Sequence, residues 1–182
     1  AEATRLPILV YNVPGRTGSN VEPKTLARLA AVPNILGVKE ASGNLGQIDE
    51  ILRLLPERFR VLSGDDALTL PMMAIGAVGV ISVVSNVVPR EMRELVALAN
   101  AGEFAGARKI HRRLLPLMQV LFVEANPIPV KYALAAMGAL PLSYRLPLVP
   151  PSADNQAKIK KVLEELALLP AKEKAYATGR AH

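Results

Sequence analysis

Cysteine is absent from this chain, which removes disulfide staples, thiol nucleophiles and thiolate metal sites together. Histidine is nearly absent too. His111 and His182 are the two imidazoles available, too few for a metal-centred reaction, so neither metal nor cofactor is expected. Aromatic residues make up 4%, leaving little to stack on bases, and the basic residues behind the net charge of +6 are dispersed. Nucleic acid is therefore not an expected partner. The densest basic run, Arg108, Lys109, Arg112 and Arg113, reads as the solvated side of an amphipathic helix. Charge is missing altogether between Ala67 and Pro89, a stretch long enough to raise the question of a membrane span. Pro71, Gly76, Gly79, Ser82, Ser85 and Asn86 interrupt it, so it reads instead as a buried helix, a glycine turn and a buried strand, with no membrane partner. Ala1–Arg5 lack the basic-then-apolar plan of a secretion signal, and a cytoplasmic location is the default expectation.

What is present suits one globular unit: 182 residues, 51% of them hydrophobic, can bury a core without staples. Four short apolar runs stand out, Ile8–Val10, Ile35–Val38, Val61–Leu62 and Val78–Val83. They show no polar alternation, the pattern of strands covered on both faces of a parallel sheet. Helical stripes lie between and after them: Leu26, Leu29 and Ala30 behind Pro23; Ile48, Ile51, Leu52 and Leu55; Met92, Leu95, Val96 and Ala99. Four βα units in succession suit either a (β/α) barrel or a doubly wound sheet.

Past Asn100 the strands stop, and three helices are expected. The first runs through Ala107, Ile110, Leu114, Leu117, Met118 and Leu121, the second from Ile128 to Met137, the third from Ser152 to Leu168. The expected division is therefore 1–101 for the βα part and 102–169 for a helical part, with 170–182 as a loosely ordered tail. A complete eight-stranded barrel takes roughly 250 residues, so the four units read as half of one. Ala1–Leu6 read as the end of a helix entering the first strand.

In parallel α/β architectures ligands bind beyond the carboxyl ends of the strands. The residues found there are Tyr11–Gly18, Lys39–Asn44 and Ser63–Asp66. Lys39 follows a buried strand, where partial desolvation would favour a neutral amine able to attack a ketone and form an imine. A surface lysine at a strand end fits the same spacing. Tyr11 could pass protons or simply pack over its strand. Arg16 lies in a glycine-flanked turn and offers a fork for a carboxylate, or it is a solvated loop arginine. Gly64 and Gly79 read as turn or close-packing glycines. Asp65 and Asp66 resemble an acid/base pair, but their place before a helix expected from Leu68 to Ile75 favours N-capping.

Five ordered blocks carry a family resemblance: YNVPGRTG at 11–18, GVKEASGN at 37–44, LSGDD at 62–66, GAVGVISVVSNV at 76–87 and FVEANPIPVKYAL at 122–134. In this order they are similar to the dihydrodipicolinate synthase and N-acetylneuraminate lyase superfamily, and within it to the synthases. Five blocks in order are far more specific than one short motif. The resemblance spans about Leu6 to Leu168. It implies an α/β fold, a (β/α)8 TIM barrel followed by C-terminal helices, of which this chain carries the second half.

By the same resemblance Lys39 forms a Schiff base with pyruvate, Tyr11 donates and accepts protons, Arg16 holds a substrate carboxylate, and the peptide group of Ile81 lines the pyruvate pocket. The implied reaction joins pyruvate to aspartate 4-semialdehyde, giving hydroxytetrahydrodipicolinate on the way to lysine. The alternatives are a related pyruvate-dependent sugar-acid aldolase, of the N-acetylneuraminate lyase or keto-deoxy-sugar-acid type, or a catalytically incomplete fragment. Arg16 tilts the choice to the synthase, because sugar-acid relatives generally lack arginine there. The resemblance also implies a homo-oligomer, a dimer of dimers. The family's pyruvate-gripping threonine loop, its interface tyrosine and most of its lysine feedback site have no counterpart in these residues.

Overall fold

Ile8–Asn12 (β1), Ile35–Glu40 (β2), Arg60–Ser63 (β3) and Gly79–Val80 (β4) form one sheet in the order β1-β2-β3-β4, every pair parallel. The structure is a computed structural model and describes residues 1–170. The tail expected to be loosely ordered thus lies outside the described residues, apart from Pro170. Each strand sits beside its predecessor, as in a barrel, whereas a doubly wound sheet reverses its order at a switch point.

The helices are α1 (Pro14–Thr17), α2 (Pro23–Leu29), α3 (Leu45–Leu54), α4 (Thr69–Ala74), α5 (Pro89–Asn100), α6 (Phe104–Val120), α7 (Ile128–Ala136) and α8 (Ala153–Glu165). Their starts follow local chemistry. Proline occupies the first turn of α2 and α5, where its missing N–H costs nothing. Asn44 caps α3 by accepting the Gln47 amide at 3.1 Å, and Ser152 caps α8 by accepting the Asn155 amide at 3.4 Å. The three helices expected past Asn100 are all present. Pro116 lies inside α6, which continues through it.

Two clusters make up most of the core. In one, Val38 and Val61 of the sheet pack against Leu26 of α2 and Ile48 and Ile51 of α3. The other joins Val84, Met92 and Leu95 to Leu114, Leu117, Ile159 and Leu163, so α5, α6 and α8 share one interior. No helix among the described residues is long and apolar enough to cross a membrane.

Three expectations are corrected. First, the strands are covered on one face only. Val38, Val61 and Ser63 are buried under the helices, while Leu9 and Tyr11 on the other face are 44% and 48% exposed. Helices lie on one side and nothing among the described residues lies on the other. Second, the run Val78–Val83 yields a strand of two residues. The Asp66 carboxylate accepts the amides of Val83 and Val84 at 2.9 and 3.1 Å and turns the chain into a 3-10 turn over Val84–Asn86. Third, residues 1–7 form turns rather than a helix end. The Thr4 hydroxyl accepts the Leu6 amide, and the Asn34 side chain donates to the carbonyls of Ala1 and Thr4, which fixes a non-helical path ahead of Pro7.

Candidate active site

The rim at the carboxyl ends of the strands is set by one irregularity. Ile8 pairs with Ile35, but Leu9 pairs with Gly37, so Leu36 is bulged out. Without that shift Tyr11 would face Val38, and Lys39 would point to the opposite side of the sheet. With it, Tyr11 and Lys39 are direct Cα partners on the same face. Gly37 is what the close approach requires: a Cβ there would run into the Arg60 carbonyl and come within 2.9 Å of Leu9 Cδ2.

Lys39 is half-buried, and its Nζ lies 4.0 Å from the centroid of the Tyr11 ring, over the π face. The ion pairs found among the described residues are Arg53–Glu50 and Arg113–Glu91, so no carboxylate there neutralises Lys39. Gly64 completes the channel for this side chain. A Cβ at Gly64 would stand 2.7 Å from Ala41 Cβ and 3.2 Å from Lys39 Cε. Close packing, one of the two readings of Gly64 from the sequence, is therefore its role.

A cleft of about 170 Å3 opens at this rim, lined by Tyr11, Val13, Arg16, Ala41, Gly64, Asp65 and Phe122. Arg16 sits in the short helix α1, which Gly18 ends at a φ of 68°. Tyr11 and Arg16 thus share the cleft, and Lys39 borders it through Tyr11 and Gly64. Ile81 stands apart from the cleft lining. Its amide donates to the Ser63 carbonyl at 2.9 Å, just beyond β4. Two strand spacings and two residue rises from the Lys39 position put it about 12 Å away, on the same face.

Asp65 and Asp66 do not cap α4, whose N-cap is Leu68 with no side-chain bond. Asp65 accepts the Ala67 amide at 2.8 Å in a tight turn, and Asp66 holds the turn after β4. Burial pushes the Asp66 carboxyl above its ordinary value, against the opposing pull of the Ser82 hydroxyl and the two amides. No group of three or more potential metal ligands gathers among the described residues.

Three contributors went unnoticed in the sequence. Phe122, two residues past the end of α6, lines the cleft and is 43% exposed. Asn12 and Glu40 follow Tyr11 and Lys39 and are buried on the helix-covered face, with 1% and 0% exposed. The signal for this pair was available: two polar residues placed one step after two rim residues in parallel strands.

The fold and the rim define a class, a parallel βα sheet, singly wound, with a lysine, a phenol and a guanidinium at the carboxyl ends of its strands. Residues 1–166 match the Dihydrodipicolinate synthetase family, and the chain belongs to it. It is 52% identical over 169 residues to the 4-hydroxy-tetrahydrodipicolinate synthase of Koribacter versatilis, covering 93% of this chain and 56% of that protein. The corresponding protein of Pelodictyon phaeoclathratiforme is 51% identical over 170 residues, with 93% and 57% covered. Among solved structures, dihydrodipicolinate synthase from Aquifex aeolicus superposes with a TM-score of 0.90 at 47% identity, covering 92% of this chain and 57% of that one. The chain therefore spans a little over half the length of the relatives it matches.

Proposed function

We propose that the chain is part of a class I lyase that condenses pyruvate with aspartate 4-semialdehyde through an imine on Lys39. The observation that carries this reading is the registered pair: a half-buried amine with no carboxylate partner, 4.0 Å from the ring centroid of a tyrosine that lines a cleft with an arginine. The shared name of relatives about 50% identical favours the synthase over a sugar-acid aldolase. The four strands in sequential order, with helices on one face, support reading 1–101 as half of a TIM barrel and 102–169 as a C-terminal helical region.

The chemistry follows from the groups. The Lys39 amine adds to C2 of pyruvate, and loss of water leaves an iminium that acidifies the C3 protons. Removal of one gives an enamine, which forms a carbon–carbon bond to the aldehyde while the new alkoxide takes a proton. The amino group of the added aspartate semialdehyde then attacks C2, closing the ring, and the Lys39 amine leaves as the C2–nitrogen bond to it breaks. Tyr11, whose ring lies beside the amine, would hand protons in and out at the nitrogen and the departing oxygen. Arg16, across the cleft, supplies a planar fork for a carboxylate. The peptide group of Ile81, whose amide donates to the Ser63 carbonyl, would line the pyruvate pocket. We extend the reading to a homo-oligomer, a dimer of dimers. Leu142, Leu146 and Val149, all exposed, are side chains of the kind an assembly covers.

Incubating the full-length protein with pyruvate and borohydride tests this directly. A reduced pyruvyl adduct on Lys39 is expected, and an unmodified folded protein would refute the imine. Turnover with aspartate 4-semialdehyde should exceed turnover with sugar-derived aldehydes; the reverse order would move the protein to the sugar-acid class.

A further inference from the structure

Glu40 is a fully buried carboxylate with no ion-pair partner among the described residues, next in sequence to the amine. A buried charge persists only where donors satisfy it. Here one oxygen accepts the Asn12 amide at 2.8 Å and the other accepts the Ser42 N–H at 2.6 Å. Asn12 is used completely. Its second N–H goes to Asn20 Oδ1 at 3.0 Å, and its Oδ1 accepts the Val21 amide at 3.0 Å. Asn12 and Glu40 are Cα partners one step beyond Tyr11 and Lys39. Their side chains lie on the opposite face of the sheet from the amine.

We propose that Asn12 and Glu40 are positioning residues, a cross-strand donor–acceptor lock that fixes the Tyr11–Lys39 register from behind. Through Val21 and Asn20, the lock also draws the far end of the 13–21 loop back onto β1, so that Arg16 faces the same rim. The proposal rests on the lysine-imine reading above, but it assigns work to two residues that reading leaves idle. Two properties make the pair suited to the task. Glu40 must accept in two directions at once, which a carboxylate does and a single amide cannot. A register slip of one residue would also bury the amine and expose the carboxylate, so the lock selects against it.

The donor and acceptor roles can be exchanged, which gives the test. In the full-length protein, Asn12→Asp sets two acceptors against each other, and Glu40→Gln sets two donors against each other at either Asn12 or Ser42. In Asn12→Asp/Glu40→Gln the new amide can donate to the new carboxylate while its oxygen still accepts from Ser42; the bond from Asn12 to Asn20 stays lost, as it is in Asn12→Asp, so the rescue is read against that single variant. The readout is the rate of pyruvate trapping by borohydride at saturating pyruvate, measured well below each variant's Tm. Ile51→Ala, a truncation in the α3 core, serves as the stability control.

Each single variant should trap about 100-fold more slowly, the cost of displacing a reacting group by roughly an ångström. The double variant should trap about tenfold faster than Asn12→Asp, which shares its loss of the Asn20 bond, and Ile51→Ala should trap at the wild-type rate despite a lower Tm. Single variants that trap like wild type, a double variant no better than Asn12→Asp, or an equal loss in Ile51→Ala would each overturn the lock while leaving the imine intact. A wild-type protein that takes up no pyruvate would instead overturn the lyase reading, and the lock with it. Should Asn12→Asp not fold, the comparison of Glu40→Gln with wild type and with Ile51→Ala decides alone.

Discussion

Gly64→Ala adds one methyl group where the rim has no room for it. The new Cβ would stand 2.7 Å from Ala41 Cβ and 3.2 Å from both the Glu40 carbonyl and Lys39 Cε. Carbon atoms pack at about 3.5–4.0 Å, so the first contact is short by roughly 1 Å. A methyl group cannot rotate away, so the backbone of β2 or of the Gly64 turn must move. The two are held together at this point by the Gly64 amide, which donates to the Glu40 carbonyl at 2.7 Å. Overpacking of this kind costs about 1–3 kcal/mol, or roughly 2–12 °C in Tm for a domain of this size. The same displacement moves Lys39 Cε off the Tyr11 ring, and misplacing a reacting group by about 1 Å costs on the order of 100-fold in rate. Urea unfolding and borohydride trapping of the full-length variant should therefore both report a loss. A variant with wild-type stability and trapping rate would refute the close packing of Gly64 against Lys39.

Lys39→Arg keeps a cation over the Tyr11 ring but never presents a neutral amine, so it should abolish trapping by pyruvate without a comparable loss of Tm; a residual adduct elsewhere would show that another lysine carries the imine. Arg16→Ala should raise KM for aspartate 4-semialdehyde by about 10- to 150-fold, the worth of a hydrogen bond to a charged group, with trapping at saturating pyruvate little changed; Tm should also hold, because Arg16 is exposed. Asp66→Asn should change the pH dependence of stability. Burial raises the folded-state pKa of Asp66 above its unfolded value near 3.8, so the folded protein holds the extra proton in that window and stability falls as pH rises through it. The amide does not titrate, so the stability of the variant relative to wild type should climb from pH 3.5 upward and then level off. A difference that stays flat with pH, read from urea midpoints, would contradict the burial effect.

The elements were legible because apolar period is a local property. Ile48, Ile51 and Leu55 mark α3 wherever it packs, and Pro23 and Pro89 open helices by their own covalent geometry. The placement of Lys39, Tyr11 and Arg16 at one rim was legible because parallel strands deliver whatever follows them to one end of the sheet. What the sequence withheld depends on contacts between distant segments. The run Val78–Val83 carries no mark of the Asp66 carboxylate, twelve or more residues upstream, that ends the strand at Val80. Burial on one face is equally invisible, since Leu9 and Leu36 are as apolar as Val38 and Val61 although the first two are exposed. The clearest case is register. The apolar runs Ile8–Val10 and Ile35–Val38 align most simply in step, and in step they would separate the amine from the phenol. One bulged residue, Leu36, reverses this, and it is tolerated because Gly37 lets the Arg60 carbonyl of β3 close in behind it. The rim thus owes its geometry to a glycine and a bulge two and three positions before Lys39, and to the buried Asn12–Glu40 pair one position after it, rather than to the side chains that would meet a substrate.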